Sequence, residues 1–226
     1  MSTADSRYYL EPACAIMRQA WPGNRLVNVV CHGHSVPSGY FATPVVDTFN
    51  AYPHLVHVGL KARFPFAVIN VIVTAIGGEN SEKGAARFES EVLTHRPDVL
   101  TIDYGLNDRG LGLERADRAW RAMIEAALKA GVKVVLLTPT PDRSQLPEAS
   151  GEVRKPLQAH AEAIRKLAAE YGVGLADSLV EFENECRGRS LLDYLSWSNH
   201  PNRAGHELAA RALLRWFPPA VFPAAS

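Results

Sequence analysis

The amino-acid sequence predicts an α/β protein with a three-layer α/β/α arrangement around an open parallel sheet. Three features of the chain support this. Apolar, β-branched runs recur along it, longer segments with helical periodicity separate them, and each run is apolar on successive residues. Strands that are buried on both faces, as between two helical layers, need that third feature.

In chain order, the first strand is expected at residues 26–31 (LVNVVC) and the second at 67–75 (AVINVIVTA). The third is expected at 99–104 (VLTIDY), the fourth at 132–138 (VKVVLLT) and a weaker fifth at 173–176. A helix is expected at 51–64, with Leu55, Val58 and Leu60 on an apolar face and Pro53 near its start, where a missing N–H costs little. Further helices are expected at 81–95, at 114–130, from 152 or 156 to 171, and at 203–217. Gly131 and Gly172 stand just past two of these patterns, where a helix end favours a left-handed residue. No repeat, low-complexity tract or linker interrupts the pattern, so residues 1–226 read as one domain with a core over about 26–213. The Pro-rich stretch 217–226 is expected as surface coil.

Composition narrows the function. The 226 residues carry 24 Lys and Arg against 24 Asp and Glu, and 47% are hydrophobic. A domain of this size buries roughly 70% of its unfolded surface and folds without a disulfide or metal staple. With no surplus of positive charge, neither nucleic acid nor an anionic membrane surface is the expected partner, which leaves a small molecule. The longest apolar runs, such as 67–76 with Asn70 and Thr74 inside it, fall short of the roughly 20 residues that span a bilayer. Residues 1–10 are polar, with Asp5 and Arg7, and contain no leader-like apolar core. Cys14, Cys31 and Cys186 form no metal-like pair and read as thiols, so a cytoplasmic location is expected. Oligomeric state is not legible.

Open parallel sheets bind ligands beyond the carboxyl ends of their strands. Those ends carry Gly33-His34-Ser35, then Gly77-Gly78-Glu79-Asn80, then Gly105-Leu106-Asn107-Asp108, and Asn199-His200-Pro201-Asn202 precedes the last helix. Together they supply a hydroxyl, an imidazole and groups able to donate hydrogen bonds. A serine is a weak nucleophile until a neighbouring histidine takes its proton, and the oxyanion that forms needs donors aimed at it. The Gly-x-Ser-x-Gly elbow of α/β-hydrolases does not fit, because Pro37 occupies the second glycine position.

These four blocks, in this order, resemble the SGNH hydrolases, also called the GDSL family of esterases and lipases. Gly33-His34-Ser35 stands for the family's Gly-Asp-Ser, which makes Ser35 the implied nucleophile. Gly78, in preference to Gly77, matches the glycine whose N–H serves the oxyanion hole. Gly105-Leu106-Asn107-Asp108 matches Gly-x-Asn-Asp and makes Asn107 the side-chain donor, with the Ser35 N–H as the third. His200-Pro201 supplies the base. The resemblance spans residues 26–213 and implies a flavodoxin-like sheet of five parallel strands and ester hydrolysis without metal or other cofactor. The resemblance implies substrates among short-chain esters, acetylated sugars, lysophospholipids and thioesters, and the compact chain with no long lid favours a small acyl group, such as acetyl on a carbohydrate.

The chain departs from the family pattern at two positions. His34 replaces the aspartate of Gly-Asp-Ser, and Trp197 stands where Asp-x-x-His would place the carboxylate that orients the base. Another acceptor must then take the His200 Nδ1–H, either a main-chain carbonyl around Ser196 or Trp197, or Asp193.

Other readings of the same residues are open at this point. Gly77-Gly78 is also a tight-turn sequence, Asn107-Asp108 a turn pair, and Ser38 a second serine of the same setting. Glu79 reads as a turn or N-cap acceptor and His206 as the maker of a local hydrogen bond. His54, His57, His95 and His160 read as surface or half-buried groups. Tyr104 and Trp197 flank the inferred site as pocket walls, and residues 36–52 form a candidate substrate lip. A metal-dependent hydrolase could draw on His32, His34, Asp103, His200 and His206 as ligands. A binding module of the same fold that has lost its catalytic function is the third reading.

Overall fold

A computed structural model of the chain describes residues 2–219. The five expected strands are present: β1 (Leu26–Gly33), β2 (Val68–Val73), β3 (Val99–Asp103), β4 (Lys133–Leu137) and β5 (Gly174–Ala176). They form one parallel sheet in the order β2-β1-β3-β4-β5. Val29 pairs with Val71 on one side and Val99 on the other. The chain leaves β1 toward one edge and returns to build toward the other, so the crevice beyond the carboxyl ends of β1 and β3 is the topological switch point.

Side chains alternate across the sheet as the pleat requires. Val27, Val29, Cys31, Val135 and Leu137 face one apolar cluster, and Val30, Leu100, Ile102, Val134 and Leu136 face the other. The first layer is covered by α1 (Glu11–Met17), α3 (Tyr52–Arg63) and α9 (Arg203–Leu214), and the second by α5 (Phe88–Glu91), α6 (Leu113–Lys129) and α7 (Gly151–Tyr171). α6 forms because Ala116, Ala119, Trp120, Met123, Ile124 and Ala127 recur at helical spacing and are all buried. Each fully buried large side chain of this kind contributes roughly 1.5–3 kcal/mol. Gly131 and Gly172 have φ of 76° and 60°, left-handed as expected past α6 and α7.

Three expectations need correction. The helix expected at 81–95 is broken into α4 (Ser81–Ala86), α5 and a 3-10 turn at Leu93–His95. The break falls at Arg87, which leaves helical geometry with φ −107° and ψ 6° while its guanidinium reaches back to the Glu79 carboxylate and the Thr74 carbonyl. The last helix stops at Leu214, and the stretch after it is not surface coil at its start. Phe217 is fully buried and its carbonyl accepts from Arg63 Nη1 at 2.6 Å. The rest of the expected coil, from residue 220, lies outside the described residues. Third, α1, the short α2 (Ser35–Ser38) and α8 (Ser178–Glu185) were not anticipated. α8 is started by the Asp177 carboxylate, which accepts from Val180 N–H.

The three cysteines are free, and burial pushes the Cys31 thiol up to about 12. Among the described residues, no helix is long and apolar enough to cross a membrane.

His32, within β1, and His206, on α9, are fully buried. Burial lowers His32 to about 4 and His206 to about 3. In the unfolded chain both titrate near 6.5. Below that pH the unfolded state binds protons that the folded state refuses, so stability falls as pH drops from about 6.5 toward 4, with a slope approaching about 1.4 kcal/mol per pH unit for each histidine. Urea midpoints measured across this range should decline accordingly, and a flat profile would refute the burial of these rings in neutral form.

Candidate active site

Each candidate residue is delivered by the end of an element. β1 stops at Gly33, and the next residue, His34, caps α2 by accepting the Val36 N–H at Nδ1 (3.1 Å). Ser35 is thus the first residue of a four-residue helix. Only a glycine fits at 33, since a Cβ there would lie 2.4 Å from the Asp103 carbonyl of β3. Gly39, at φ 89°, ends the helix and turns the chain back.

His200 arrives from the other end of the chain. Ser196 holds its backbone, donating from N–H (2.9 Å) and Oγ (3.1 Å) to the His200 carbonyl. Asn202 then caps α9 through Gly205 N–H (3.1 Å) and donates to the Asp193 carbonyl (2.8 Å). His200 is therefore not the cap of this helix.

These elements bring the two groups together. Ser35 Oγ lies 2.9 Å from His200 Nε2, and His200 Nδ1 lies 2.8 Å from the Phe41 carbonyl oxygen. A carbonyl only accepts, so Nδ1 carries the proton and Nε2 is free to accept the Ser35 hydroxyl. The orienting group is a main-chain carbonyl, as one expectation had it, but it belongs to Phe41. The Nδ1–H goes to neither of the expected places, a carbonyl at Ser196 or Trp197 or the Asp193 carboxylate, because Phe41 takes it. Phe41 was missed because a carbonyl has no sequence signature and this one lies 159 positions from the ring.

Residues 39–47 form a tight hairpin that fixes this carbonyl. Tyr40 N–H donates to Ser35 O, Phe41 N–H to Val45 O and Asp47 N–H to Gly39 O. The Phe41 ring stacks on His206 at 5.0 Å, and His206 Nδ1 accepts the Tyr52 N–H that opens α3. His206 thus makes a contact 154 positions away, not the local one expected.

Gly78 has φ 79°, and a Cβ there would meet nothing within 4 Å, so its surface is open. The neighbouring Gly77 is covered by the Tyr40 ring, which lies 2.8 Å from where its Cβ would be and 6.0 Å, centroid to centroid, from the His200 ring. Asn107, half-buried in a 3-10 turn, donates one amide N–H to the Glu79 carbonyl at 2.7 Å, which leaves its other N–H free to donate. Asp108 ties the same two loops together, accepting from Ser81 N–H (2.8 Å) and Trp120 Nε1 (2.7 Å). Glu79 is no cap, since Asn80 caps α4, and its carboxylate pairs with Arg87 at 2.6 Å. Tyr104 is no pocket wall either. It is fully buried and bonded to His32 and Glu79, whereas Trp197 is 61% exposed.

Burial holds the His200 pKa below its ordinary value, and the nearby His34 ring adds to the effect while the Phe41 carbonyl opposes it. Ser35 and His200 are only 7% and 5% exposed. A cavity of about 550 Å³ between the β4–α7 connection and α8 is lined by none of these residues.

The histidines considered as metal ligands are engaged separately. His32 contacts Thr74, Gly84 and Tyr104, His34 caps α2, and His200 faces Ser35. Among the described residues, no three His, Cys, Asp or Glu side chains converge as a ligand set. His160 is buried, and of the remaining expected surface histidines His54 and His57 are half-buried and His95 exposed.

Comparison with known proteins identifies the family. The chain is similar to an acetylxylan esterase from Geobacillus stearothermophilus, 25% identical over 171 residues that make up 69% of this chain and 75% of that one. It resembles a crystal structure of an acetylxylan esterase from the same organism with a TM-score of 0.72 at 22% identity, covering 84% of this chain and 94% of that one. It also resembles an α/β hydrolase from the metagenome of Lake Arreo, Spain, with a TM-score of 0.71 at 21% identity over 89% of this chain and 97% of the other. The model of the GDSL-like Lipase/Acylhydrolase family matches residues 31–208. The chain therefore belongs to that family and is a carboxylic ester hydrolase of the SGNH type.

Proposed function

We propose that the chain hydrolyses short-chain esters, with O-acetyl groups on a carbohydrate as the foremost substrate, through an acyl-enzyme formed on Ser35. The observation that carries this reading is the Ser35–His200–Phe41 alignment, at 2.9 Å and 2.8 Å. Ser35 Oγ attacks the acyl carbon as its proton passes to His200 Nε2. The carbonyl oxygen becomes an oxyanion held by the Ser35 N–H, the Gly78 N–H and the free N–H of Asn107. His200 then gives its proton to the leaving alcohol as the C–O bond breaks. Water repeats the sequence on the acyl-enzyme, releasing the acid and restoring the Ser35 hydroxyl.

Two observations support a small acyl group. Ser35 is 7% exposed, and the Tyr40 ring bridges Gly77 and His200 beside it. The similarity to an acetylxylan esterase supports an acetylated sugar as the alcohol side.

A panel of nitrophenyl esters of increasing chain length, run beside acetylated xylo-oligosaccharides, tests the substrate. Activity should be greatest on acetyl, should fall with chain length, and should vanish in Ser35→Ala. Tyr40→Ala should shift the preference toward longer chains, and an unaltered profile would remove Tyr40 as the limit. Asn107→Ala should keep the fold and lose on the order of 10²–10³-fold in kcat, as the loss of one oxyanion donor does. In the pH profile of kcat/KM, the base must be neutral, so the rate rises with pH. Because burial lowers the His200 pKa, the midpoint should lie below the ordinary histidine value of about 6.5. A flat profile, or a midpoint above that value, would count against His200 as the base.

A further inference from the structure

We propose that His34 and Asp103 act as one positioning unit for the nucleophile, a buried imidazole–carboxylate pair standing where the family pattern has a single aspartate. This rests on the reading of Ser35 as the nucleophile. The side chains of His34 and Asp103 are 1% and 2% exposed. His34 Nδ1 accepts the Val36 N–H at 3.1 Å, so the ring carries its proton on Nε2. That nitrogen faces Asp103 Oδ1 at 3.4 Å. The alignment falls short of a formal hydrogen bond, and neither atom has another partner among the described residues. The backbones are also joined there, His34 N–H donating to the Asp103 carbonyl at 3.2 Å. The second Asp103 oxygen lies 3.4 Å from the Tyr52 hydroxyl.

The carboxylate selects one orientation of the ring. Turned over, the imidazole would present carbon to both Val36 N–H and Asp103, losing the cap and the contact together. The cap fixes the first turn of α2, and Ser35 is the residue between His34 and Val36. Asp103 therefore acts on the Ser35 hydroxyl through His34, and neither residue needs to touch the substrate. The same geometry accounts for the departure from Gly-Asp-Ser. An aspartate at position 34 could still cap Val36, but it would set a second carboxylate against Asp103 where no water screens the two charges.

The test is a mutant cycle: His34→Ala, His34→Asn, His34→Asp, Asp103→Asn and the double variant His34→Asp/Asp103→Asn. Each is assayed for kcat and KM on nitrophenyl acetate, for the rate of Ser35 labelling by a fluorophosphonate, and for thermal midpoint. His34→Asp and His34→Ala should lower kcat and labelling on the order of 10²-fold through misplacement of the hydroxyl, with KM little changed. His34→Asn, whose Oδ1 can accept from Val36 as Nδ1 does but whose shorter amide does not reach the Nε2 position facing Asp103, should recover only the part of the loss that comes from the cap. Adding Asp103→Asn to His34→Asp should recover the loss of the single variant, because the amide removes the repelling charge. If His34→Asp does not fold, the comparison of the double variant with Asp103→Asn, and of His34→Asn with His34→Ala, carries the test. Independent effects at 34 and 103 in an active, labelled protein would overturn the pairing alone. A wild-type chain that neither hydrolyses the ester nor takes the label would overturn the reading of Ser35 and the positioning with it.

Discussion

The imidazole of His200, held between a hydroxyl and a carbonyl, is the constraint on which the rest of the site depends. Its two partners lie 165 and 159 positions away in sequence. Were Nδ1 to lose the Phe41 carbonyl, the ring could place its proton on Nε2 instead, and Ser35 would face a donor where it needs an acceptor. A neutral acceptor is sufficient to fix this tautomer. It differs from a carboxylate in what it offers the imidazolium formed during turnover, since a hydrogen bond between neutral groups contributes about 0.5–1.5 kcal/mol and one involving a charged group about 1.5–3 kcal/mol. The Phe41 contact moves from the first class to the second when the ring takes the Ser35 proton. It brings no countercharge, so burial still governs the basicity of His200.

That carbonyl is only as well placed as the hairpin carrying it. The 39–47 segment is pinned to Ser35 through Tyr40 N–H and to itself through the Phe41–Val45 and Asp47–Gly39 bonds, and the Phe41 ring rests on His206. His206 belongs to α9, the helix whose N-terminal loop presents His200, and its Nδ1 accepts the first N–H of α3. The nucleophile turn, the orienting carbonyl and the base are thus braced against the same two helices. A displacement of α9 would move the base and its acceptor together, which conserves their distance better than a single side-chain contact would.

The strands and the helix ends at Gly131 and Gly172 were legible in the sequence because their signals are local: apolar runs of strand length, and glycines one step past a helical pattern. The order of the site blocks was legible because three of them follow strands and the fourth stands just before the last helix. What escaped was non-local. The 81–95 segment has helical periodicity throughout, yet it breaks at Arg87, whose guanidinium is drawn to Glu79 and Thr74 in the turn before α4. Tyr104 was expected beside the substrate because it ends a strand, but its hydroxyl is taken by Glu79 and His32 beneath the surface. The contribution of Phe41 is a backbone atom, and no choice of side chain at that position reports it.

Beneath the nucleophile the protein is polar where a sheet protein would ordinarily be apolar. His32, His34, Thr101, Asp103 and His206 are buried there. Among the described residues, His206 Nε2 has no hydrogen-bond partner, and His34 Nε2 and Asp103 Oδ1 have only each other, at 3.4 Å and short of a hydrogen bond. A buried polar atom without a partner costs about 1–3 kcal/mol, so a core selected for stability alone would replace these groups with aliphatic ones. The rest of the sheet follows that rule, with Val29, Val30, Leu100, Ile102, Val134 and Leu136 fully buried. The polar groups gather where β1 and β3 hand over to the turns that carry Ser35 and Asn107, at the switch point of the sheet. Directional contacts fix the orientation of an atom, whereas apolar packing at the same place would secure the volume but not the orientation. The stability given up under the site is therefore the physical counterpart of holding one hydroxyl, one imidazole and one amide in register across 165 residues of chain.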